Sequence, residues 1–82
     1  MNRFEDAIAR DLSVRLPGAR TRSVRALARW AAASVPPGAL GRDAVALVLG
    51  RLGEGDPDEL ARTVMAERPD RFGRNWQSGP AH

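Results

Sequence analysis

Asp43–Leu52, reading DAVALVLGRL, is apolar on nearly every side. Val45, Val48, Leu49 and Leu52 recur at helical spacing, and Ala44, Ala46 and Leu47 fill much of the remaining circumference. A helix that is hydrophobic all round is normally a buried one. In a short chain, such a helix is expected to be the post against which the others pack. A buried strand is the rival reading of AVALVL, but no second strand-like run exists to pair with it. The fold class expected is therefore all-α, a compact bundle of four to five short helices.

Upstream of this stretch, Phe4, Ala7, Ile8 and Leu12 recur at three- and four-residue steps, which predicts a first helix over residues 2–14. Asp6–Arg10 and Asp11–Arg15 are i,i+4 pairs in the favourable acid-first order. Pro17 and Gly18 break the helix. Thr21 is placed to cap a second helix ending near Ser34. Val24, Leu27, Ala28, Ala31 and Val35 form its apolar stripe, and Arg22, Arg25 and Arg29 lie opposite. Trp30 sits at the margin between the two faces, where it reads as the edge of the core or as a binding hot spot. Val35-Pro36-Pro37-Gly38 must turn, and Ala39-Leu40-Gly41 is expected to add a helical turn before the central helix over 42–52.

Downstream, Gly53 suits a left-handed C-cap. Asp56-Pro57-Asp58-Glu59 reads as a helix start: Asp56 as cap, Pro57 at the first helical position, Glu59 as the acid of a capping box. That helix is expected to run through Leu60, Ala61, Val64 and Met65 to Arg68, where Pro69 stops it. Asp70 begins a last short helix carrying Phe72 and Trp76 four apart. Residues 1–76 thus make one helical domain and 77–82 a frayed polar tail. Its expected core is Val24, Leu27, Ala31, Val45, Val48, Leu49, Leu52, Leu60 and Val64.

Composition removes several classes of function. The chain has 82 residues, enough for one domain. It has no cysteine, so disulfide and thiolate chemistry are out, which fits a cytoplasmic protein. No apolar run approaches the 18 or so residues that a membrane helix needs. MNRFEDAIARDL mixes acids with bases and lacks a continuous apolar core, so it does not read as a signal peptide. All 13 basic side chains are Arg, which beside 14 Ala looks like GC-rich bacterial coding bias rather than a nucleic-acid signature.

Chemistry is equally sparse. The one histidine, His82, is the last residue, and nothing in the sequence positions it. Nucleophilic catalysis needs a base beside its nucleophile, and a zinc site needs four suitable ligands. The glycines at 50, 53 and 55 do not form a phosphate loop, since no lysine exists and no strand precedes them. The chain is read as a non-enzyme, with no cofactor, no metal and no catalytic residue.

Charge carries the functional reading. Residues 1–42 hold eight Arg and three acids, a balance of +5; residues 43–82 hold five Arg and seven acids, a balance of −2. Arg20–Arg29 is purely basic and Glu54–Glu59 purely acidic. Two interaction faces follow, a basic one of Arg22, Arg25, Arg29 and Trp30, and an acidic one of Glu54, Asp56, Asp58 and Glu59. If they lie on different sides of the bundle, copies dock basic to acidic in a heterologous contact that makes rings or filaments. The partner expected is a protein, this chain itself or another helical domain. The alternative is a helix–turn–helix over residues 21–52 that grips phosphates through Arg20–Arg29. Against it, the would-be recognition helix at 43–52 offers only Asp43 and Arg51 to read bases.

GDPDELARTVMAERPDRF, following AVALVLGRLG, resembles the C-terminal half of the bacterial effector-associated domains. Those are small all-helical adaptors of the death-like class. Val48-Leu49, Gly55, Leu60, Val64 and Pro69 are the matching positions, and the likeness covers about 30 of the 82 residues. The N-terminal half lacks matching positions, and the six helices of that family exceed the five at most that periodicity supports. The resemblance implies homotypic adaptor function, joining a sensor to an effector in bacterial signalling or immunity. It brings no catalytic residue.

Overall fold

The computed structural model describes residues 2–67, which form four helices with no strand among them. The last short helix expected around Phe72 and Trp76, and the frayed tail 77–82, lie outside the described residues. Helix α1 spans Arg3–Arg15, α2 Thr21–Ser34, α3 Gly41–Leu52 and α4 Pro57–Ala66.

Each helix begins and ends for a chemical reason. At the start of α1, the Asn2 side chain accepts from the Glu5 N–H at 3.1 Å. Asp11 closes on Arg15 at 2.8 Å, whereas the other expected pair, Asp6–Arg10, does not form. A turn at Pro17-Gly18 follows, with Ala19 N–H donating to Leu16 C=O at 3.0 Å. Thr21 is not the cap of α2. It is already helical, and the cap position belongs to Arg20, whose side chain makes no capping bond.

The α2–α3 link is a β-turn rather than the expected helical turn at 39–41. Ala39 N–H donates to Pro36 C=O at 3.1 Å, and Gly38 takes φ of 90°. Proline then glycine at the two central positions is what a type II turn requires. After α3, Gly53 adopts φ 56° and ψ −122°, so it is not in the left-handed helical well. With Gly55 N–H donating to Leu52 C=O at 2.8 Å, it is the first central residue of a type II′ turn, another position that demands glycine. At α4, Asp56 caps as expected by accepting from the Glu59 N–H at 3.1 Å. Glu59 does not return the bond, so the capping box is half formed.

The post of the bundle is α2, not α3. α2 packs broadly against each of the other three helices, α1 also packs against α3, and α4 packs broadly against α2 alone. Val24, Leu27, Ala28 and Ala31 of α2 are buried, the last two small enough to let neighbours come close. Ile8 and Leu12 of α1, Ala44, Val45 and Val48 of α3, and Ala61 and Val64 of α4 complete the core. Leu49, Leu52 and Leu60, expected inside, are only half-buried. α3 has apolar residues all round, but only two helices cover it, so Ala46, Leu47 and Gly50 face outward.

Candidate interaction surface

The face of α2 opposite its core is an arginine strip. Arg22, Arg25 and Arg29 fall at i, i+3 and i+7, and all three are exposed. None closes an ion pair among the described residues, where the two paired arginines are Arg15 and Arg51. Like charges one turn apart repel by a few tenths of a kcal/mol. α2 tolerates this because its opposite face is so well buried. On the α1 side the strip is less purely basic, because Arg25 shares a shallow groove with Glu5, Asp6 and Arg10.

Trp30 is half-buried against the core, and the Arg51 guanidinium lies 5.3 Å from the centre of its ring. One face of the indole is thus taken by the domain's own cation. Arg51 also forms a two-pronged pair with Glu67, with Nη1 at 3.0 Å from Oε1. That pair raises the already high pKa of the guanidinium, burial opposing.

The four acids of the Glu54–Glu59 run divide into two kinds. Glu54 and Glu59 are exposed and project from the surface. Asp56 is the cap of α4, and Asp58 is committed across the bundle. Asp58 Oδ1 accepts from the Arg20 backbone N–H at 3.1 Å. The Ser23 hydroxyl favours the ionised form of the same carboxylate. Ser23 is the one buried polar side chain among the described residues, and Asp58 is the acid it acts on. An acid from α4 therefore supplies the N-terminal cap that α2 lacks. The Ser23 hydroxyl first and the Arg20 N–H second hold the Asp58 carboxyl below the usual carboxylate range; partial burial opposes them, and the charges of Arg20 and Arg62 add to the lowering.

This contact joins the two charged runs. The basic run begins at Arg20 and the acidic run contains Asp58, so the two runs meet at one end of the bundle. The non-local roles of Asp58 and Arg51 have no signal in a local reading, because their partners stand 38 and 16 residues away.

Among the described residues, no group of three or more His, Cys, Asp or Glu is placed to hold a metal ion. No described helix is long and apolar enough to cross a membrane. No family model, curated protein or solved structure matches the chain.

Proposed function

We propose that this chain is a small protein–protein interaction domain that associates through complementary charged faces, with a second copy of itself as the first partner. The observation that carries the reading is the strip of Arg22, Arg25 and Arg29, three exposed guanidinium groups without an ion pair among the described residues. Glu54 and Glu59 are the exposed acids of matching sign. Exposed ion pairs contribute only about 0–1 kcal/mol each, so charge sets orientation and encounter rate more than affinity. Together with the resemblance of the C-terminal half to effector-associated domains, this is the role of a cytoplasmic adaptor in bacterial signalling.

The nucleic-acid alternative is weaker on the same residues. A helix–turn–helix over 21–52 would put α3 in the major groove, where Ala46, Leu47 and Gly50 have nothing to read bases with. Asp43 accepts from the Leu40 N–H at 2.9 Å, and Arg51 is held by Trp30 and Glu67.

Sedimentation equilibrium across concentration and salt tests the reading. Wild type should self-associate at low salt and dissociate as salt rises. Arg25→Glu combined with Arg29→Glu should stay monomeric with an unchanged helical circular dichroism spectrum. A wild type that is monomeric at high concentration and low salt would remove self-association. Sequence-dependent binding of a DNA duplex that persists at physiological salt would favour the alternative instead.

A further inference from the structure

We propose that self-association closes as a two-fold dimer, with the axis near the Arg20–Asp58 contact, and does not propagate into rings or filaments. This rests on the self-association reading above and goes beyond it by fixing the symmetry. Arg20 N–H donates to Asp58 Oδ1 at 3.1 Å, so α2 and α4 start side by side. From that point the arginine strip runs along α2, while Glu54 and Glu59 stand on the turn before α4 and on its first turn. Asp56 and Asp58 are occupied by backbone N–H groups, which leaves Glu54 and Glu59 as the acids that project.

A surface with its positive arm and negative arm meeting at one point is self-complementary under a two-fold rotation. The arginine strip of each copy lies over the acids of the other, and the same two arms are used on both. A heterologous chain needs the arms on separate sides of the domain, whereas the Arg20–Asp58 contact sets the starts of the two arms side by side. The energetics favour closure as well. Once one arm has docked, the second contact is intramolecular, at an effective concentration of roughly millimolar. Below that protein concentration, a third copy cannot compete for the second arm. Each copy in the closed pair then has both arms covered and none left to recruit another.

The test is multi-angle light scattering at low salt over a concentration series reaching several hundred micromolar. The mass should rise from the monomer value of 8.9 kDa and level off at twice that value. Growth beyond the dimer would overturn the closed geometry and leave the self-association reading intact. A constant monomer mass would remove both. A second arm uses Arg22→Glu with Arg25→Glu in one chain and Glu54→Arg with Glu59→Arg in another, all exposed positions that leave Arg20 and Asp58 in place. Each variant alone should be monomeric. Their equimolar mixture should give a dimer that is more resistant to salt than wild type, because predominantly acidic arms then face predominantly basic ones. A mixture that polymerises, or a single variant that dimerises as wild type does, would overturn the proposal.

Discussion

The guanidinium of Arg51, at the end of α3, lies over the indole of Trp30 on α2, 5.3 Å from the ring centre. The same group reaches Glu67, the residue that follows α4, through two parallel hydrogen bonds. One side chain thus ties together three helices that pack mainly through α2. Arginine suits this position because its flat fork can stack on a ring and grip a carboxylate at once.

Replacing Arg51 should therefore separate shape from charge. Arg51→Ala should lower stability by up to about 1 kcal/mol, a small figure because the pair is partly open to solvent. Arg51→Lys keeps the charge but loses the fork and the stacking, and should recover less than half of that loss. Urea titrations followed by tryptophan fluorescence measure both. Full recovery by lysine would mean that charge alone matters here.

Asp58 should give the domain an acid-sensitive element. Its carboxyl titrates below its ordinary value in the folded state, so the unfolded chain binds more protons between the two values. The contribution is fully present above about pH 4, the ordinary aspartate value, and is lost as pH falls through the folded value. Asp58→Asn should be less stable than wild type at neutral pH and should converge with it in acid. Urea midpoints between pH 2 and 7 test this. A gap that stays constant over that range would show that the charge on Asp58 is not what caps α2.

Leu27 and Leu49 should differ in cost although both lie on apolar stripes. Leu27 is fully buried at the centre of α2, so Leu27→Ala should cost about 2–5 kcal/mol. Leu49, on the less covered α3, is half-buried, and Leu49→Ala should cost less than half as much. Thermal and urea unfolding of the two variants compare them directly. Equal costs would restore α3 as a second centre of the core.

Gly50 and Gly53 should respond in opposite directions to the same substitution. Gly50 lies inside α3, and an added Cβ would meet nothing within 4 Å. Gly50→Ala should stabilise by about 0.5–1 kcal/mol by restricting the unfolded chain. Gly53 has equally open space around it but a φ of 56° with ψ of −122°. Gly53→Ala should destabilise by about 1–3 kcal/mol through backbone strain alone. Paired melting curves settle the sign of each.

These contrasts follow the boundary between what was legible in the chain and what was not. The Asp56-Pro57 start of α4 and the Pro37-Gly38 turn were readable because cap and turn chemistry involves neighbours in sequence. Thr21 looks like a cap from its neighbours alone, whereas the acceptor comes from Asp58, 38 residues away from the N–H it binds. Periodicity showed correctly that α3 has apolar residues on every side. It carries no information on how many neighbours exist to cover them, so it put the post on α3 instead of α2. The arginine strip was visible from spacing alone, whereas its closeness to the acidic run depends on how α4 folds back.

Because α4 packs broadly against α2 alone, it has an independent route out of the fold. It can detach while α1, α2 and α3 keep their mutual contacts, breaking chiefly the burial of Ala61 and Val64 and the links through Asp58 and Glu67. Such partial openings need less free energy than global unfolding. The amides of α4 should therefore exchange with solvent hydrogen ahead of those in the middle of α2, which are released only when the whole domain comes apart.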